Sequence, residues 1–209
     1  MSDPSLRQTP LATLHLGDRK TSPAHDATVR LAEKTFIAKL NLRTDPSNGK
    51  LMRVFEKVLG FALPLESNTT NGKAVRSALW LGPDEWLITA PSSQEQALFK
   101  ALSEAAEAHH LAITDVSDAR TVFLLSGPNA RDVLEKGCGL DLHPRAFQTG
   151  CCAQTRLART GVLLHQTSDE PAYDIHVSWS FAAYLWIWLE DAAAEFNVTI
   201  VTDDGWRRR

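Results

Sequence analysis

The sequence predicts an α+β fold, made of two successive β-α-β-β-α-β units that form antiparallel sheets with packed helices. Short runs alternate apolar and polar residues with period two, while others repeat their apolar residues at three- and four-residue steps. Taken in chain order, the two kinds of run occur in nearly the same succession twice within 209 residues, the second time with one extra strand.

Residues 1–28 carry Pro4, Pro10 and Pro23 among polar side chains. Such a segment cannot present a continuous apolar face, so it is expected as an extended arm outside the fold. The α+β domain is expected over 29–201, with its halves at about 29–117 and 118–201, followed by a C-terminal tail over 202–209. From Thr35, the residues Phe36, Ala38, Leu40 and Leu42 alternate with Ile37, Lys39, Asn41 and Arg43, the pattern of a half-buried strand. Leu51, Val54, Phe55 and Val58 then recur at helical spacing up to Gly60, a residue suited to end a helix. Two strands, Ser77 to Leu81 and Glu85 to Thr89, flank the turn residues Gly82, Pro83 and Asp84. A long helix is expected from Ser92 to His110, opened by Ser-Ser-Gln-Glu, with a strand near Ile113 to Val116 after it.

The second unit begins with a strand at Thr121 to Ser126 and a helix entered through Gly127-Pro128-Asn129 and running to about Lys136. A hairpin around Gly161 joins Cys151–Ala158 to Val162–Gln166, and Tyr173 to Val177 adds a strand. Ser180 to Phe196 reads as a helix and Val198 to Val201 as the last strand. In that helix Phe181, Tyr184, Leu185, Trp188, Leu189 and Phe196 form one apolar stripe, which is core. Trp186 and Ile187 fall outside the stripe, and together with Trp206 in the tail they are the residues expected at a partner interface.

Composition narrows the function classes. Hydrophobic residues make up 44% and charged residues 22%, an ordinary globular balance. A net charge of −3 supplies no basic field for phosphate neutralisation, so no nucleic-acid partner is expected. No run approaches the ~18–20 apolar residues of a membrane-spanning helix, and no hydrophobic block marks a signal peptide, so a cytoplasmic protein is expected. Neither G-x-G-x-x-G nor a P-loop occurs, which removes those modes of nucleotide binding.

Cys138, Cys151 and Cys152 form no C-x-x-C pair, and adjacent Cys151 and Cys152 point opposite ways on a strand, so no metal site is expected even with His143 added. Asp115, Asp118 and Arg120 put two carboxylates beside a guanidinium. At so local a spacing, capping and pairing within a turn is the favoured reading over acid-base catalysis. His165 and His176 lie on expected neighbouring strands and could face each other, again more readily as a sheet pair than as a catalytic one. No catalytic, cofactor-binding or metal-binding residue is therefore assigned to this chain.

A longer-range pattern adds to this. Leu-Gly-Pro-Asp-Glu-Trp-Leu (81–87), Asp-Val-Ser-Asp-Ala-Arg-Thr (115–121) and Leu-Ser-Gly-Pro-Asn-Ala-Arg-Asp-Val-Leu-Glu-Lys-Gly-Cys (125–138) occur in order. Leu-Asp-Leu-His-Pro-Arg-Ala-Phe (140–147), Cys-Ala-Gln-Thr-Arg-Leu-Ala (152–158) and Tyr-Leu-Trp-Ile-Trp-Leu (184–189) follow. Over roughly residues 30–200 this series resembles the gamma subunit of heterotetrameric sarcosine oxidase. The resemblance implies a fold similar to part of the folate-binding aminomethyltransferase of the glycine cleavage system. It also implies a non-catalytic assembly subunit, partnered by alpha, beta and delta chains, in an oxidase that demethylates sarcosine to glycine with hydrogen peroxide and 5,10-methylenetetrahydrofolate. FAD, FMN, NAD, tetrahydrofolate and zinc are then expected in those partners and no cofactor in this chain. The aminomethyltransferase pattern places an acidic residue just past the Gly-turn hairpin, where Gly161–Gln166 here has none. The alternative is an independent folate-binding one-carbon-transfer protein of aminomethyltransferase type, with Asp115, Asp118 and Arg120 as its polar group.

Overall fold

A computed structural model describes residues 8–16, 25–106 and 111–201. Strands β1 (Val29–Glu33) and β2 (Ile37–Thr44) precede helix α1 (Gly49–Leu59). Then come β3 (Thr70–Lys73), β4 (Arg76–Gly82), β5 (Glu85–Pro91), α2 (Glu95–Ala106) and β6 (Leu111–Asp115). The second half holds β7 (Arg120–Ser126), α3 (Ala130–Glu135), β8 (Cys152–Leu157), β9 (Thr160–Ser168), β10 (Ala172–Ser178), α4 (Ala182–Ala193) and β11 (Val198–Val201). The expected α+β class is observed, and the expected elements follow one another as anticipated, with two strands, β1 and β3, that the sequence reading does not contain.

Local chemistry explains the boundaries. The side chain of Asn48 accepts a hydrogen bond from the Leu51 amide and so caps α1, which ends where Gly60 adopts a left-handed φ of 87°. The expected N-cap run Ser92–Gln94 forms a single 3-10 turn before α2. The end of the expected helix beyond Ala106 lies outside the described residues.

Two sheets result. One has the order β3-β4-β5-β2-β6 and the other β11-β1-β7-β10-β9-β8. Every pairing is antiparallel except β1 with β11, which runs parallel. Strand β1, absent from the sequence reading, sits between β7 and β11, pairing Leu31 with both Leu125 and Ile200. The expected division at residues 117 and 118 therefore does not separate the sheets, because a strand from the first half lies inside the second sheet.

Each sheet carries its helices on one face. Leu51, Phe55 and Leu59 of α1 and Leu98 and Leu102 of α2 pack on Leu40, Leu42, Trp86 and Ile88. Trp86 is fully buried there, with its indole N–H donating to the Pro64 carbonyl at 2.7 Å. Val133 and Leu134 of α3, with Leu185, Trp186 and Leu189 of α4, pack on Phe123, Leu125, Tyr173 and Ile175 of the other sheet. The opposite faces of the sheets meet through a small apolar cluster of Leu79, Leu87, Cys152 and Leu163. The layers thus run helix, sheet, sheet, helix.

Two expectations change. The arm does not lie wholly outside the fold: around a 3-10 turn at Ala12–Leu14, Leu11 is buried in the larger core, and Leu14 and Leu16 pack against it. Isolated leucines between prolines are enough to seat a single turn, though not a helix. In α4 the buried face is Ala182, Leu185, Trp186, Leu189, Ala192 and Ala193, while Phe181 and Tyr184 are exposed. The small alanines let the helix approach the sheet closely, so the face turns toward Trp186 and away from the larger aromatics.

Candidate functional site

The sheet-to-sheet interface closes on apolar contacts at one end and opens at the other into a polar cleft of about 510 Å³. Strand register decides what lines it. Along β10, Tyr173, Ile175 and Val177 enter the core, which turns Asp174, His176 and Ser178 to the opposite face. Cross-strand pairing then sets His165 of β9 opposite Asp174, and Leu163 opposite His176. His165 and His176 are consequently diagonal neighbours, and the face-to-face histidine pair considered from the sequence is not formed.

Asp174 instead binds Lys34, which follows β1, with Nζ 2.6 and 2.8 Å from its two oxygens and each side chain only 15% exposed. At that depth a charge-assisted pair keeps both ions compensated. His165 adjoins Thr70 of β3, its Nε2 standing 3.4 Å from Oγ1, while the same hydroxyl donates to the Gly150 carbonyl at 3.0 Å. Burial holds the His165 pKa below the usual imidazole range, with Asp174 opposing the shift and Lys34 adding to it. His176, 2% exposed, is held well below that range, first by burial, then by the adjacent His165 imidazole, whose protonation would oppose its own, and by the cations Lys39, Arg120 and Lys34. Both imidazoles are therefore neutral at pH 7. The cleft is a set of fixed dipoles around a self-neutralised ion pair, suited to binding or to holding the two sheets in place.

The other sequence candidates lie elsewhere. The carboxylate of Asp115 accepts the Ser117 amide at 2.9 Å, the turn cap expected of it. Asp118 and Arg120 border a separate hollow of about 30 Å³, so the three residues are not gathered into one site. Cys152 faces the other sheet, its thiol directed at the carbonyls of Thr69 and Trp80, and burial pushes its pKa up to about 12. Cys151 packs on the opposite, helix-covered side, as alternation on a strand requires. Among the described residues no group of three or more His, Cys, Asp or Glu is placed to hold a metal ion.

Of the expected interface residues, Ile187 is 52% exposed. Trp186 is not at the surface. It is fully buried and meets Phe123 edge-on at 5.2 Å between ring centroids and 80° between planes. Trp206 lies outside the described residues. Exposed Trp179 and Phe181, with Tyr184, continue the apolar surface next to Ile187. Sequence reasoning missed Lys34, Thr70 and Asp174. The signal available for Asp174 was the strict alternation of Tyr-Asp-Ile-His-Val, which places a carboxylate and an imidazole on one strand face.

Among the described residues no helix is long and apolar enough to cross a membrane. Comparison with known proteins adds family information. The family described as SoxG, sarcosine oxidase, gamma subunit family, matches residues 43–195. The sarcosine oxidase subunit gamma of Corynebacterium sp. (strain P-1) is 36% identical over 194 residues, which span 92% of each protein. In the heterotetrameric sarcosine oxidase from Corynebacterium sp. U-96, solved in complex with pyrrole 2-carboxylate, one chain superposes with a TM-score of 0.83 at 34% identity. That alignment takes in 94% of this chain and all of the other. Aminomethyltransferase T of the glycine cleavage system from Bartonella henselae shares the fold at a TM-score of 0.71 and 16% identity, over 94% of this chain and 59% of that protein. With sequence and fold in agreement along nearly the whole length, this chain belongs to the sarcosine oxidase gamma subunit family.

Proposed function

We propose that this chain is the gamma subunit of a heterotetrameric sarcosine oxidase and serves as a non-catalytic part that holds larger partners in place. The supporting observation is the end-to-end match with one chain of the Corynebacterium heterotetramer. On this reading alpha, beta and delta subunits complete the assembly. FAD, FMN, NAD and tetrahydrofolate reside in the alpha and beta subunits, and zinc in delta. The assembly oxidises the N-methyl group of sarcosine, releasing glycine and hydrogen peroxide and passing the one-carbon unit to tetrahydrofolate. The chain contributes rigidity: its cleft charges neutralise one another, and Trp179, Phe181 and Ile187 offer apolar area to a partner.

The test is to express the affinity-tagged chain with its native partners and follow flavin absorbance and peroxide release from sarcosine. A yellow complex of unequal subunits that turns over sarcosine is expected, while the purified chain alone is colourless and inactive. Ile187→Glu is expected to weaken co-purification without lowering the melting temperature of the chain. Recovery of a colourless chain without partners would sink the reading.

A second reading, folate binding by the chain itself, draws on the aminomethyltransferase-like fold and the size of the inter-sheet cleft. The carboxylate standing across the strands from the Gly161–Gln166 run is Asp174, opposite His165, and it is already engaged by Lys34. Titration of the chain with tetrahydrofolate separates the two readings, since saturable binding abolished by Asp118→Asn or Asp174→Asn is expected only on the second.

A further inference from the structure

A second open cleft, of about 480 Å³, lies on the same inner face of the larger sheet, beyond the area facing the smaller one. Its floor follows from strand register. Arg156 of β8 stands opposite Gly161 of β9, and Ser178 of β10 stands opposite Arg120 of β7. The pairing of Val177 with Val162 brings Ser178 alongside Gly161. One row across four strands therefore reads Arg156, Gly161, Ser178, Arg120, and the next reads Gln154, Leu163, His176, Val122. Three strand spacings put the two arginine backbones ~14 Å apart, a gap their side chains can close from either side.

Gly161 leaves the middle of that row empty. A methyl group added at its Cα would meet nothing within 4 Å. Among the described residues lining the cleft none is acidic, and neither arginine has an ion pair with a described residue. Nδ1 of His176, fully buried at the edge of the hollow, has no hydrogen-bond partner among the described residues. Two guanidinium groups without an ion-pair partner among the described residues, a hydroxyl and an imidazole nitrogen thus converge on a hollow whose described lining holds no carboxylate.

We propose that this hollow is a binding site for a compact oxyanion, the carboxylate or phosphate group of a small molecule, held between Arg120 and Arg156 with Ser178 and His176 beneath it. Arginine suits this role because its planar fork meets two oxygens of either group at once. Gly161 is the residue that keeps the seat open.

The test titrates the full-length chain with inorganic phosphate and, separately, with succinate, by calorimetry at low ionic strength. Wild-type protein is expected to bind at least one of them saturably, and the tighter of the two identifies the anion class. Arg156→Gln and Arg120→Gln are each expected to weaken that binding tenfold or more. Gly161→Val, whose Cβ enters open space and whose two methyl groups occupy the hollow, is expected to abolish it at an unchanged melting temperature. Failure of the folded wild-type chain to bind either probe overturns the proposal, as does wild-type affinity in Gly161→Val. If the arginine variants instead lose co-purification with partner subunits while wild-type chain ignores both probes, the row serves an acidic protein segment and the small-anion site is refuted.

Discussion

Replacing Trp186 by alanine removes the largest side chain at the junction of α4 and the larger sheet. The indole is fully buried and stacks edge-on against Phe123 at 5.2 Å, so the substitution leaves a cavity walled by Phe123 and neighbouring core side chains. Truncations of this kind cost about 3–5 kcal/mol, the lost aromatic pairing included. In a protein of this length each kcal/mol moves the melting temperature by roughly 2–4 °C, so a drop of about 6–20 °C is expected. Trp186→Phe is the informative companion. It keeps a ring against Phe123 and removes an indole N–H that has no partner among the described residues, so its cost is expected to be a small part of the alanine value. Ile187→Ala, one residue away but 52% exposed, is expected within about 0.5 kcal/mol of wild type. Circular dichroism melts of the three variants decide the matter. A Trp186→Ala protein that melts within 2 °C of wild type would refute the packing argument and return Trp186 to the surface.

The two buried histidines make the protein acid-sensitive. Their folded pKa values lie below the ordinary imidazole value, so the unfolded chain binds more protons as pH falls below about 6.5, and stability complete above that pH is lost on acidification toward the folded values. Melts at pH 7.5 and 5.5 should show the loss, and His176→Gln should reduce it; equal losses in both proteins would exclude His176 as a source. Glu33 acts in the opposite sense at lower pH, because burial raises its pKa and protonating it favours the fold. At the cleft, Lys34→Met and Asp174→Asn each strip the partner from a charge only 15% exposed, and each is expected to cost about 3 kcal/mol in chemical denaturation. The double variant Lys34→Met/Asp174→Leu should recover much of that, and strictly additive losses would show that the two ions are not coupled.

The strands and helices were legible where period and punctuation agree. Gly60 ends α1, and the Gly82-Pro83-Asp84 turn joins β4 to β5, as those residues dictate. Strand β1 escaped because Val29–Glu33 is five residues containing Arg30 and Glu33, too short and mixed to stand out, and its place between β7 and β11 is decided by partners far along the chain. The place of Trp186 is not legible from the large side chains alone, because Ala182, Ala192 and Ala193 share its buried face and carry no strong apolar signal. The polar cleft shows the same limit. His165 and His176 could be placed on neighbouring strands, but the pairing of Asp174 with Lys34 joins residues 140 positions apart.

The insertion of β1 between β7 and β11 bears on how the chain is made. During synthesis β1 emerges early, and its first partner, β7, emerges only after the whole smaller sheet. Its second flank stays an unpaired edge until Val198–Val201 has left the ribosome, since those residues supply the parallel neighbour. An edge open for so long invites pairing with other chains. A nascent chain halted before Val198 would leave the Val29–Glu33 edge without its parallel neighbour, so completion of this sheet is tied to the emergence of Val198–Val201.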